Sequence, residues 1–290
     1  MADKKHIDEF SGTETTGHEW DGIRELNTPL PRWWLWTFYA CVIFAAVYWV
    51  LMPAWPGITG YSHGILGYST RASIETTMAQ AKQSMAGMRN RLAAAPLADI
   101  EKTPDLLEFA MAGGRSAFAV NCSQCHGSDA SGRKGFPNLN DDDWLWGGKL
   151  ADINFTITHG ARNGADPDAR GTQMPRFLAD GILTAAQISD VADYVLSLSG
   201  AAHDDAAAAR GQPLFAQDCV ACHGDKGQGS NEFGAPRLSD NIWLYGGDRA
   251  TIIQTISYAR NGVMPNWGAR LDQETIKELT IYVHSLGGGQ

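Results

Sequence analysis

The pentads Cys122-Ser123-Gln124-Cys125-His126 and Cys219-Val220-Ala221-Cys222-His223 constrain this chain more than any other feature. Cys-x-x-Cys-His is the attachment signature of c-type haem. Two thiols at this spacing add across the vinyl groups of the macrocycle, and the adjoining histidine is held under the iron as an axial ligand. A disulfide, a thioredoxin-like pair or half a zinc site uses the cysteines alone. Each leaves a histidine at the same place in both copies unexplained.

The motifs belong to an internal duplication. Phe118 and Phe215 precede the two motifs at equal distance. Gly135-Phe136-Pro137-Asn138-Leu139 matches Gly234-Ala235-Pro236-Arg237-Leu238, and Trp144-Leu145-Trp146-Gly147-Gly148 matches Trp243-Leu244-Tyr245-Gly246-Gly247. Ala161-Arg162-Asn163-Gly164, Met174-Pro175 and Tyr194-Val195 match Ala259-Arg260-Asn261-Gly262, Met264-Pro265 and Tyr282-Val283. The first copy carries its extra residues mainly in 165–173.

Each copy is expected to begin and end with a helix. Thr103-Pro104 suits a cap with proline at the first helical position. Thr184 with Gln187 has the capping-box spacing, and Asp272 suits the cap of the last helix. Ile188, Val191, Val195 and Leu198 form one apolar stripe, and Ile276, Leu279, Val283 and Leu286 the other. No segment alternates with a two-residue period for long, so the expected fold is all-α, built around haem rather than a large side-chain core. His203 to Ala209 is the expected joint between copies.

Met174 and Met264 are the expected sixth ligands to iron, each before a proline in the loop ahead of its terminal helix. A thioether is soft and favours ferrous iron, so His/Met ligation raises the potential and closes the iron to oxygen or peroxide. Met111 is expected in the core. His159 is the competing ligand, which would give a bis-histidine first haem, and His284 is expected at the surface or in the core. Pro137 and Pro236 are candidates to offer carbonyls to the proximal histidines. Arg162 and Arg260 are candidates to pair with haem propionates. Trp144 and Trp243 are expected as pocket packing.

From Trp33 to Met52 no residue carries a charge, a length that spans the hydrocarbon layer as one helix. Trp33, Trp34 and Trp36 open the run; Tyr48, Trp49 and Trp55 close it like interfacial belts. Pro53 and Pro56 stop it. Arg32, Arg24, Lys5 and Lys4 lie before the span, and the next basic residue beyond it is Arg71. The positive-inside rule therefore expects a cytoplasmic N-terminus and exported haem segments, with the span an uncleaved signal anchor. Cys41, inside the span, is expected as a small buried hydrophobe. Beyond a loop over 57–70, Ile74, Met78, Ala81, Met85, Met88 and Leu92 recur at helical steps and are expected as a packing face ended by Pro96. The formal charge of −9 with no basic patch argues against a nucleic-acid partner.

The leader His18-Glu19-Trp20-Asp21-Gly22-Ile23-Arg24-Glu25-Leu26-Asn27, followed by Pro29-Leu30-Pro31-Arg32-Trp33-Trp34 and closed by Met52-Pro53-Ala54-Trp55-Pro56, resembles the CcoP (FixP) subunits of cbb3-type cytochrome c oxidases. The resemblance implies a cytoplasmic leader (1–32), one transmembrane helix (33–52), a linker with an amphipathic helix (53–104) and two tandem class I cytochrome c domains (105–200 and 207–290). It implies two covalent haem c groups on Cys122, Cys125, Cys219 and Cys222, with axial pairs His126/Met174 and His223/Met264. It also implies a bacterial inner-membrane subunit with periplasmic haem domains and no catalytic residue of its own. Such subunits pass electrons from a cytochrome c donor fed by the bc1 complex to a monohaem cytochrome subunit. From there electrons reach the haem–copper subunit, where oxygen is reduced and protons are pumped. The leader is then expected to dock against partner membrane subunits. Two other functions fit a dihaem chain: a free-standing membrane-anchored electron shuttle, and a peroxidase-like enzyme with one open iron.

Overall fold

The computed structural model describes residues 6–287; Lys4 and Lys5, counted above toward the basic flank, lie outside them. Two compact units are present, Met1–Ser84 and Met85–Gln290.

The first unit opens with a small antiparallel hairpin of β1 (Thr15–Trp20) and β2 (Ile23–Leu26), among the described residues the one departure from the all-α expectation. Its cause is local. Asp21 and Gly22 both take positive φ, 49° and 85°, which is what a two-residue turn matching strand twist requires. Arg24 and Glu19 pair across the hairpin at 2.6 Å. Helix α1 (Arg32–Leu51) follows with no buried residue, Cys41 included. Cys41 is therefore exposed rather than buried: α1 is apolar on every side and no other part of the unit covers it. At 20 residues it is about 30 Å long, long and apolar enough to cross a membrane. The chain then turns back, and the amides of Ile65 and Leu66 donate to the Val50 and Leu51 carbonyls, satisfying groups the helix end leaves open.

The linker helix α2 (Thr70–Ala94) buries only Leu92, while Ile74, Met78 and Met85 are exposed. The methionine stripe packs only at its C-terminal end. There Met88 and Leu92 join Ile100 of α3 (Leu97–Lys102), Leu106 and Ala110 of α4 (Pro104–Asn121), and Ile281 of α11 (Gln273–His284). Lys277 of α11 fastens this end by donating to the carbonyls of Leu92, Ala93 and Ala95. A cation on the last carbonyls of a helix satisfies them and complements its dipole. Met111 packs on the same cluster, as expected of a core residue.

Between α4 and α11 the chain forms α5 (Ser123–His126), α6 (Leu150–His159), α7 (Ala185–Leu198), α8 (Asp205–Asp218), α9 (Val220–His223) and α10 (Arg249–Tyr258). Thr184 and Gln187 make the full capping box at α7, and Asp272 accepts from Thr275 at α11. Thr103 is the cap residue of α4 with Pro104 in its first turn, as expected, but its hydroxyl makes no capping bond to α4 and donates to the Asp99 carbonyl of the preceding turn. Helix α8 starts at Asp205 behind an Asp204 cap, so the joint between copies is 199–204, shorter and earlier than expected.

That short joint has a large consequence. Helices joined by few residues pack as antiparallel neighbours. The last helix of the first half, α7, packs on the first helix of the second half, α8, while α4 packs on α11. The halves 105–200 and 207–290 do not close on themselves; they exchange their terminal helices. Both crossings use the same contacts. Phe118 meets Tyr282 at 5.5 Å, and Phe215 meets Tyr194 at 5.2 Å. Gly114 and Gly211 sit where the backbones touch: a Cβ added at either would lie 2.2 Å from a carbonyl oxygen, of Glu278 and Asp190 respectively.

Two lobes result. Lobe B takes its core from one stretch, including Phe177, Ile188, Val191, Phe215 and Ile256. Lobe A takes Phe118, Ile153 and Ile157 from before that stretch and Ile276, Leu279 and Val283 from after it. Lobe B is thus nested within lobe A in the sequence.

Candidate haem sites

Each lobe encloses a cavity. That of lobe A is bordered by Cys122, Cys125 and His126, and that of lobe B by Cys219, Cys222 and His223. The motifs fold as single helical turns. Asn121 and Asp218 end the preceding helices, the last motif amides donate back to the Cys122 and Cys219 carbonyls, and Gly127 and Gly224 break the turn with φ of 85° and 76°. Both cysteines and the histidine of each motif thereby border the same cavity.

His126 Nδ1 lies 3.0 Å from the Pro137 carbonyl, and His223 Nδ1 lies 3.0 Å from that of Pro236. A carbonyl accepts only from a protonated Nδ1, so the proton is fixed there and Nε2 keeps its lone pair for a metal. Burial holds both imidazoles below the usual histidine range, and the proline carbonyls oppose this in part. The ligand form, neutral imidazole, is therefore the resting form at neutral pH. Burial, with the neighbouring Cys125, pushes the Cys122 thiol up to about 11. Burial, with Asp218 and Cys222, pushes Cys219 up to about 12.

The methionines are not where the repeat places them. Met264, with Pro265, borders the cavity of His126, and Met174, with Pro175, borders the cavity of His223. Each cavity thus sets the histidine of one copy beside the methionine of the other, Met264 with His126 and Met174 with His223, where the within-copy pairs His126/Met174 and His223/Met264 were expected. Each methionine loop leads into a terminal helix, and since those helices are exchanged the methionines go with them. His159 borders neither cavity; its Nδ1 lies 3.0 Å from Asp166 Oδ2. His284 pairs with Glu101 at 2.7 Å, away from both cavities.

The surroundings suit a porphyrin. Trp144 Nε1, on the lobe A cavity, is buried without an acceptor, and a haem propionate would supply one. Trp243 lines the lobe B cavity in the corresponding place. Arg162 borders both cavities and Arg260 that of lobe B. Asp143, also on the lobe A cavity, is raised to about 6 by burial and by the charges of Asp240 and Asp141, with Arg237 opposing. Asp143 and the sharing of Arg162 between cavities were not legible in the motifs. The one sequence signal that could have exposed the exchange is the shortness of 199–204.

A pair of helical lobes, each setting a Cys-x-x-Cys-His turn against a methionine loop, in a chain whose N-terminal part carries a helix long and apolar enough to span a membrane, defines a c-type cytochrome. Family models agree along the chain: residues 12–59 match the N-terminal domain of cytochrome oxidase-cbb3, FixP; 111–199 match cytochrome c; 206–283 match cytochrome c oxidase, cbb3-type, subunit III. The chain is 56% identical to the cbb3-type cytochrome c oxidase subunit FixP of Azorhizobium caulinodans, over 98% of this chain and 96% of that one. It is 52% identical to the subunit CcoP of Cereibacter sphaeroides, over 95% of each. The chain belongs to the CcoP/FixP family of cbb3-type cytochrome c oxidase subunits.

Proposed function

We propose that this chain carries two covalent haem c groups and relays electrons, without catalysing oxygen reduction itself, to the catalytic core of a cbb3-type oxidase. The observation that carries the reading is the meeting, in each cavity, of two cysteines, a histidine with its Nδ1 already engaged, and a methionine. Each haem, when bound, supplies a one-electron ferric/ferrous couple. Cys122 and Cys125 would tether one haem, and Cys219 and Cys222 the other. His126 with Met264, and His223 with Met174, would supply the side chains that hold the irons. Such a closed site passes electrons and denies oxygen or peroxide a place to bind, which speaks against a peroxidase-like role.

The N-terminus is proposed to face the cytoplasm, with Arg24 and Arg32 on that side of α1, and the haem lobes to face the periplasm. The donor is proposed to be a cytochrome c fed by the bc1 complex. The acceptor is the monohaem subunit that serves the haem–copper subunit. The leader, as part of the family's N-terminal domain, is proposed to dock on the other membrane subunits.

The test is purification of the complex through a tag on this chain. Two covalent haems on this chain, co-purifying haem–copper and monohaem subunits, and no carbon monoxide binding by the reduced chain alone are expected. A chain free of covalent haem would overturn the cofactor reading. A haem-bearing chain that purifies alone would favour the free-standing shuttle.

A further inference from the structure

Four residues border both cavities: Leu145, Arg162, Leu244 and Gly262. Leu145 and Leu244 are counterparts in the duplication, as a wall shared by two similar lobes would have. Arg162 breaks that symmetry. Its counterpart, Arg260, borders only the lobe B cavity and is anchored within its own lobe on the Thr251 carbonyl and the Thr255 hydroxyl. Arg162 instead sits where the chain passes between lobes, with Nε donating to the Gly262 carbonyl at 2.7 Å and Nη1 to the Thr172 carbonyl at 3.2 Å. The guanidinium also lies over the Trp146 ring at 5.5 Å.

Three observations set this side chain apart. It joins no ion pair among the described residues, and the one coulombic neighbour acting on it is Tyr245. Burial lowers its pKa from the usual arginine value, yet a guanidinium stays protonated at neutral pH. Its backbone has φ of 53°, a left-handed conformation that a residue with a Cβ adopts only when its surroundings hold it there. An uncompensated, half-buried positive charge is thus held by two carbonyls in the wall common to both sites.

We propose that Arg162 is one cation shared by the two haem sites, raising both reduction potentials together and keeping them matched for transfer between the lobes. The inference rests on the haem reading above. Oxidation at either site removes one electron and adds one positive charge to a cavity that already faces the guanidinium. The ferric state is disfavoured at both sites by the nearby like charge.

The test is a spectroscopic redox titration of the full-length chain in detergent, after its covalent haem has been counted. Arg162→Gln is expected to lower both half-reductions, each oxidation equilibrium moving about tenfold, or 59 mV for a one-electron couple. Arg260→Gln is expected to lower only one. Arg162→Lys keeps the charge without the two-carbonyl fork and is expected to hold both potentials near their starting values. If R162Q moves one potential or neither, the shared-cation proposal is overturned. If R162K falls as far as R162Q, Arg162 acts as a structural staple and the proposal is likewise overturned. Should R162Q fail to hold haem, the R162K titration decides alone: two unchanged potentials support the proposal and a fall in either overturns it. An unmodified chain without covalent haem sinks the haem reading instead, a separate result.

Discussion

Ala161 and Met264 exchange two backbone hydrogen bonds, amide to carbonyl at 3.0 Å and 2.9 Å. One residue comes from each half of the duplication. At this point the chain leaves lobe A and returns to it, and the return strand carries Met264 into the cavity of His126. The adjoining Gly160 has φ of 72°, and a Cβ there would lie 2.4 Å from the Met264 carbonyl.

Gly160→Ala should therefore displace the Met264 strand and leave lobe B intact. The expected result is loss of methionine ligation at one haem of two. The sulfur-to-iron charge-transfer band of ferric methionine-ligated haem should fall by about half in optical titration, with a destabilisation of roughly 1–3 kcal/mol from strain and overpacking. A full-strength band would show that the strand does not position the ligand.

The exchanged pairing is tested directly by stripping one haem. In a Cys219→Ala/Cys222→Ala chain only the lobe A haem remains. Met264→Ala should then abolish the charge-transfer band, and Met174→Ala should leave it. The opposite outcome would restore pairing within each half.

The two helix crossings should share one weak point. Gly114→Ala and Gly211→Ala each push a methyl against a carbonyl of the partner helix. Each is expected to lower stability by about 1–3 kcal/mol, and to lower the thermal midpoint of its own lobe first, followed by haem absorbance on heating. Equal tolerance of alanine at both sites would argue against the close crossing.

Glu278, buried beside Gly113 and Gly114, is raised to about 7 from the usual glutamate value of 4.5, chiefly by burial, with Arg89 opposing and Asp272 and Glu274 adding to it. A raised carboxyl keeps its proton in the folded chain at pH values where the unfolded chain has already lost it. The folded state is therefore favoured at low pH, and stability is lost as pH rises through the window from about 4.5 to about 7. Glu278→Gln should match the unmodified chain below that window and exceed it above, by on the order of 2 kcal/mol in denaturant titrations at pH 8. A constant difference across the range would remove the titration account.

Much of this protein is legible without coordinates because the deciding signals are local. Haem attachment needs two thiols and a histidine on one helical turn, so Cys122–His126 and Cys219–His223 are self-declaring. A helix able to cross lipid needs only an uncharged run of sufficient length, which Trp33–Met52 supplies. Capping at Thr184 and Asp272 and the apolar stripes of α7 and α11 depend on neighbours within one or two turns. The carbonyls of Pro137 and Pro236 face their histidines because short loops leave little choice.

What the residues alone left open is which distant segments meet. The duplication suggested two self-contained halves, each with its own methionine. Both possible pairings bury the same stripes and the same Phe–Tyr contacts, because Tyr194 and Tyr282 are equivalent, as are Phe118 and Phe215. A repeat therefore cannot distinguish them by its own pattern. The short 199–204 joint holds α7 beside α8, and the tertiary structure sets each methionine on the cavity bordered by the other half's histidine. The same crossing puts Arg162 between two cavities, a position that no local spacing encodes.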